Sequence, residues 1–196
     1  MADFSELVEF LETMKENELN LSVSKTEIEE ILLKAARATC DFYILNTPTD
    51  GIPYWDTGAP SLLQLGDYLN KPSDPCNSFE PVDSSAAAIA AQGLLRLGRY
   101  LSDRNFEIDG KKYWSAGLTL VNHLFDDPYL SRDPDHQGLL LHSIYHRPNA
   151  WDHIPQGSEI PCGESSMWGD YHARELAIYL LRIIRDEPYY QFFITQ

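Results

Sequence analysis

Basic residues are scarce in this chain of 196 residues: 15 lysines and arginines stand against 30 acids, a formal net charge of −15. That balance argues against nucleic acid as a partner, because recognition of phosphates needs a basic face. It also disfavours an anionic membrane surface. An acidic ligand would be repelled at long range and would need a local basic spot. Cysteine is sparse as well: Cys40, Cys76 and Cys162 are an odd number with no Cys-x-x-Cys spacing, which points to a reducing compartment. No apolar run approaches the roughly 18 residues of a membrane-spanning helix. The first residues carry acids throughout rather than the apolar segment of a signal peptide, so the expectation is a cytoplasmic protein. Apolar content is 43%, enough at this length for one domain with its own core.

What the chain does contain is helical periodicity, so the fold class is all-α. An apolar stripe of Phe4, Leu7, Val8, Phe10, Leu11 and Met14 predicts a first helix over Ser5 to Glu16, with Asp3 and Glu6 as a capping-box variant. Residues 17–24 read as a polar connection. Lys25 to Leu45 predicts a second helix capped by Ser24 with Glu27 closing the box, and Cys40 is a buried small hydrophobe in it. Ser84 to Ser102 predicts a third, alanine-rich in its first half and buried on most sides. A turn is expected at Asp109-Gly110, then a fourth helix from Lys111 to Phe125, ended by Asp126-Asp127-Pro128. A fifth begins near Ser165 or Ser166 and runs through Trp168-Gly169-Asp170-Tyr171 to Arg185. The aromatic tail from Pro188 to Gln196 ends the core.

Two long irregular segments interrupt this pattern, and loops of such length in a compact domain are usually functional. Residues 46–82 hold Asp50-Gly51-Ile52-Pro53-Tyr54-Trp55-Asp56, a loop stiffened by Pro53 and Pro60, with a short helix expected at Ser61 to Tyr68. Cys76, in the turn-rich insert that follows, is the cysteine expected at the surface. Asp83 is a good N-cap for the helix behind it. Residues 127–166 hold Leu139-Leu140-Leu141-His142-Ser143-Ile144-Tyr145-His146-Arg147-Pro148, whose start reads as a short strand. Both segments lead into the N-terminus of the next helix, which places them at one end of the bundle. His142, His146, His153 and Cys162 lack a regular ligand spacing, so no metal and no cofactor are expected. Nothing in the sequence places a base beside Cys162.

Four segments in order, Asp50 to Asp56, Asp83 to Ala90, Leu140 to Pro148 and Trp168 to Tyr171, resemble the carboxy-terminal half of unsaturated glucuronyl hydrolases and of the related unsaturated rhamnogalacturonyl hydrolases. The resemblance covers residues 25–186, while residues 1–24 form a helix and connection unlike the family. It implies that residues 25–196 are about half of an (α/α)6 toroid of helical hairpins, with a sugar cleft where the long loops gather. The implied activity is release of a 4,5-unsaturated uronic acid from an oligosaccharide. An aspartate protonates the vinyl ether and then acts as base for hydration. The family's catalytic aspartates lie in a half with no counterpart here. The chain is then expected to pair as a homodimer or to lack an amino-terminal half, with the alanine face of the third helix left open for association.

On that reading Tyr54 and Trp55 are either stacking faces for sugar or plugs that pin the loop. Asp56 and Asp83 are either a weak pair of catalytic carboxylates or, respectively, a loop hydrogen-bonder and a helix cap. Tyr145, His146 and Arg147 either reach a uronate carboxylate and hydroxyl, Arg147 supplying the local positive charge, or form a loop anchored to acidic neighbours. The partner is an unsaturated acidic oligosaccharide. Two other readings stand beside this one. The chain is a sugar-binding or scaffold relative without catalysis, or another toroid activity such as sugar epimerisation, which wants two opposed histidines in the cleft.

Overall fold

The protein is described here by a computed structural model covering residues 1–15 and 22–187. The last residue of the expected first helix, most of the 17–24 connection and the tail from 188 onward lie outside these residues. Among them the helices are α1 (Ala2–Thr13), α2 (Lys25–Leu45), α3 (Ser84–Asp103), α4 (Glu107–Leu124) and α5 (Met167–Ile184), with short 3-10 turns at Leu62–Leu65, Tyr68–Asn70 and Arg147–Asn149. None of the described helices is long and apolar enough to cross a membrane.

Helix starts follow the capping chemistry in the sequence. The Ser24 side chain accepts from Glu27 N at 3.2 Å while Glu27 Oε2 accepts from Ser24 N at 2.9 Å, a reciprocal box. Asp83 caps α3 and Ser166 caps α5. The box expected at Asp3 and Glu6 does not form, because α1 already begins at Ala2 and puts Asp3 inside its first turn. The short strand expected near Leu139 is reduced to a single Leu130–Leu140 bridge. Its amides are taken instead by the Asp170 carboxylate, which accepts from Leu139 N at 2.9 Å and Leu140 N at 2.8 Å.

α3 is the central element, and α1, α2, α4 and α5 all pack against it. Ala87, Ala88, Ala90 and Ala91 are therefore buried within the chain, together with Leu94, Leu95 and Leu97. This overturns the expectation of an open alanine face. The turn expected at Asp109-Gly110 is also absent, since both residues lie in the first turns of α4. Gly110 serves close approach rather than a bend: a Cβ there would sit 2.8 Å from Gly98 O on α3. Asp109 pairs with Arg37 of α2, and acids in a first helical turn suit its positive end.

α1 is fastened to α3 by charge. Arg96 pairs with Glu9 at 2.6 Å and Glu6 at 3.6 Å, and Arg104 pairs with Glu12. Cys40 is buried on α2, and its thiol is pushed up to about 12 by burial. Cys76 is exposed, as expected.

Candidate functional site at the N-termini of α3 and α5

The first loop is clamped from below. Asp50, a buried carboxylate, accepts from Ile52 N at 3.2 Å, Ser73 N at 3.0 Å and Ser73 Oγ at 2.6 Å. Ser73 Oγ also shares a 2.6 Å hydrogen bond with the Tyr129 hydroxyl. Pro53 to Trp55 then runs alongside residues 81–83, with Trp55 N donating to Pro81 O at 3.0 Å and Asp83 N to Pro53 O at 2.8 Å.

The second loop closes on the same residues. Ser84 N donates to His142 O at 3.1 Å, Ile144 N to Asp83 Oδ1 at 3.4 Å, and Trp168 Nε1 to Ser85 Oγ at 3.1 Å. Trp55 and Tyr145 are thus each tied, within a residue or two, to the Pro81–Asp83 step at the start of α3. The two loops form one mouth rather than opposite poles.

Within that mouth the expected residues are placed differently from one another. Tyr54 is 7% exposed and meets Tyr68 edge-on at 5.5 Å between ring centroids. It is a plug with no open stacking face. Trp55 is half-buried, and its Nε1 donates to the buried Glu80 at 2.7 Å. Glu80 also accepts from Ser61 N at 2.9 Å, so this carboxylate fixes both the indole and the turn after it. Asp56 is exposed, and its Oδ1 accepts from Gly58 N at 2.7 Å, the loop-bonding arrangement.

Tyr145 is exposed and lies between two tryptophans, 5.8 Å from Trp151 and 5.3 Å from Trp168 between ring centroids. His146 lies against Trp151 with the rings tilted by 47° and their centroids 5.0 Å apart. The Asp152 carboxylate accepts from Tyr145 N and His146 N, which fixes the backbone that carries both rings. Arg147 opens the 3-10 turn beside them, half-buried, and its guanidinium makes no ion pair among the described residues. His142 is buried. Its Nδ1 accepts from Gly163 N at 3.1 Å, and burial lowers its pKa, so the ring is a neutral structural acceptor. The described residues hold no group of three or more His, Cys, Asp or Glu arranged for a metal.

Trp151, Asp152 and Glu80 were not singled out from the sequence. A lone tryptophan in an irregular loop and acids in an acid-rich chain carry no spacing signal. Asp170 ties α5 to the second loop, a role that only the fold shows.

Asp83 combines a cap with a junction. Its Oδ1 accepts from Ser85 N at 3.0 Å, Ser85 Oγ at 2.6 Å and Ala86 N at 3.3 Å, besides Ile144 N. Burial raises its pKa above the usual carboxylate value, against these hydrogen bonds, which favour the charged form. A raised folded-state pKa means stability that is full below the unfolded pKa and is lost as pH rises through the folded one. Asn caps a helix as well as Asp does. Asp83→Asn is therefore expected to melt at or above the wild-type temperature at pH 7, with the gap closing below about pH 4. Thermal unfolding of both proteins across this range checks it. A variant less stable at pH 7 by more than about 1 kcal/mol would show that the charge at the helix end outweighs its burial.

The chain is similar to known proteins over about three quarters of its length. No protein-family model matches the chain. An unsaturated glucuronyl hydrolase of Formosa agariphila is 30% identical over 145 residues, 73% of this chain and 29% of that protein. An unsaturated glucuronyl hydrolase of Bacillus sp. strain GL1 is 28% identical over 151 residues, 77% of this chain and 33% of that protein. The crystal structure of the Bacillus enzyme, described as responsible for degradation of glycosaminoglycan, superposes with a TM-score of 0.55 over 79% of this chain and 33% of that one. A heparin-specific unsaturated glucuronyl hydrolase, 23% identical, matches in fold with a TM-score of 0.57 over 80% of this chain and 35% of that one. The chain thus spans about a third of the length of the curated relatives it matches. In sequence and in its helical architecture, part of an (α/α)6 toroid, the protein resembles a portion of the unsaturated glucuronyl hydrolases.

Proposed function

We propose that this mouth binds an acidic, 4,5-unsaturated oligosaccharide, a ligand class in keeping with the name of its relatives, unsaturated glucuronyl hydrolase. The observation that carries the reading is Arg147, a guanidinium with no ion pair among the described residues, in a chain of net charge −15. It stands beside the exposed rings of Tyr145, His146 and Trp151. Aromatic faces stack on sugar rings, and a planar guanidinium suits a carboxylate held in two parallel hydrogen bonds. In this reading Trp55 borders the mouth from the first loop and Tyr54 only supports it.

Titration of an unsaturated uronyl disaccharide from a glycosaminoglycan or pectin lyase digest, followed by tryptophan fluorescence, tests the proposal. Saturable binding is expected, weakened at least about tenfold in Arg147→Ala. Equal binding by that variant would remove the basis of the reading. The same cuvette reports chemistry, because hydration of the vinyl ether abolishes the ultraviolet band of the unsaturated uronate. One observation favours a second reading, recognition without turnover. Asp56 and Asp83 are both engaged in loop and cap hydrogen bonds rather than facing each other as an unencumbered pair. Binding with an undiminished band over hours would support it.

A further inference from the structure

A helix at the surface of a helical domain normally turns a polar face outward, and α5 does not. Its buried face is Gly169, Ala173, Leu176 and Tyr179. The opposite face carries Met167, Tyr171, Ile178, Leu181 and Ile184, all exposed, from 45% for Leu181 to 85% for Met167. At helical spacing these side chains form one apolar stripe along the whole helix. Arg174 and Glu175 interrupt the stripe at its middle, and Arg182 borders it near its end. Arg174 is exposed and makes no ion pair among the described residues. Glu175 accepts from the Tyr171 hydroxyl at 2.7 Å and lies 3.5 Å from His172 Nδ1, which leaves its carboxylate room for further donors.

We propose that α5 is the contact surface of a symmetric homodimer, pairing antiparallel with α5 of a second copy. The occupant is specified by charge. A two-fold axis passing between Arg174 and Glu175 sets Arg174 of each copy against its partner's Glu175 and Tyr171 against its partner's Ile178. Met167 then meets the end of the stripe at Leu181 and Ile184. Such reciprocity is what an isologous contact requires. It buries the apolar residues on both sides of the axis and neutralises the two charges that would otherwise be desolvated alone. A second exposed apolar line, on α2, holds only three such residues, Ile31, Phe42 and Leu45, against five on α5. An 18-residue helix is about 27 Å long. One helix pair buries less than the roughly 800 Å² per partner of a standard interface. With like net charges repelling at distance as well, the dimer forms reversibly and depends on concentration.

Sedimentation velocity on the full chain from about 10 μM to about 1 mM decides it. The wild type is expected to pass from monomer to dimer in this range. Arg174→Glu and Glu175→Arg should each weaken association at least about tenfold, since each sets like charges face to face, and the double exchange should restore it. Ile178→Glu should abolish it, with the far-ultraviolet circular dichroism of every variant unchanged. Phe42→Glu on α2 should have no effect. A monomer throughout, single charge reversals without effect, failure of the double exchange to rescue, or dissociation by Phe42→Glu would each overturn the assignment.

Discussion

Replacement of Gly98 by alanine is expected to destabilise the protein by about 3 kcal/mol or more, and replacement by valine to prevent folding. Helix propensity predicts the opposite, because alanine gains about 1 kcal/mol over glycine in a helix interior. Contact geometry decides against propensity here. A Cβ at Gly98 would lie 2.6 Å from Trp114 N, 2.9 Å from Trp114 Cα and 2.9 Å from Gly110 O, all on the backbone of α4. Backbone cannot swing aside as a side chain can, so the two helices must separate. Separation would open the seam where Leu94, Leu95 and Leu120 are buried. Gly93 offers a graded comparison. Its Cβ would meet Met1 Cγ at 3.0 Å and Ala2 N at 2.9 Å, at the end of α1, where a helix terminus can shift. Gly93→Ala should cost clearly less than Gly98→Ala in urea unfolding followed by circular dichroism. Equal or higher stability of Gly98→Ala would show that the α3–α4 seam is looser than these distances state.

The same glycines explain where reading the sequence succeeded and where it failed. Helix existence followed from apolar spacing and from side-chain caps at Ser24 and Asp83, because those signals are local. The expected start of α4 at Lys111 falls later than Glu107 because Asp-Gly is locally a turn signal. Its use as a helix-to-helix contact depends on Gly98, which only the fold brings opposite. The open alanine face failed for a related reason. Alanines on a helix say that something packs closely, and not whether the packing element belongs to the same chain. That element includes α1, which lies outside the four segments that carry the family resemblance.

At the mouth, the convergence of the two loops was legible because each leads into a helix N-terminus and Asp83 is a strong cap. The burial of Tyr54 against the exposure of Tyr145 was not. Both are tyrosines in loops, and the difference arises from Tyr68 and Asp74 on one side and from Trp151 and Trp168 on the other. The positioning carboxylates Glu80, Asp152 and Asp170 act on backbone amides or an indole across gaps of 6 to 31 residues in the chain. No period or motif marks partners chosen by tertiary contact alone.

Truncation of Arg96 is expected to cost about 3 kcal/mol at pH 7, by stranding a carboxylate. Arg96 is buried at the junction of three helices: it pairs with Glu9 and Glu6 of α1 and lies over the Tyr179 ring of α5, 4.7 Å from its centroid. Glu9 is itself largely buried, and burial raises its pKa, with Arg96 the first of the groups that hold it down. In Arg96→Ala that restraint is gone and the Glu9 pKa rises further. Stability carried by a raised carboxyl is full below the unfolded pKa, near 4.5, and is lost as pH rises through the folded value. The deficit of Arg96→Ala relative to wild type should therefore be largest near neutrality and shrink as pH falls toward that value. Removing both charges in Glu9→Gln/Arg96→Met should recover much of the loss, because the methionine stem still covers Tyr179 and no unpaired charge remains. Urea unfolding of the wild type and the two variants at pH 7 and pH 4.5 measures this. A deficit independent of pH, undiminished in the double variant, would assign the role of Arg96 to packing over Tyr179 rather than to its charge.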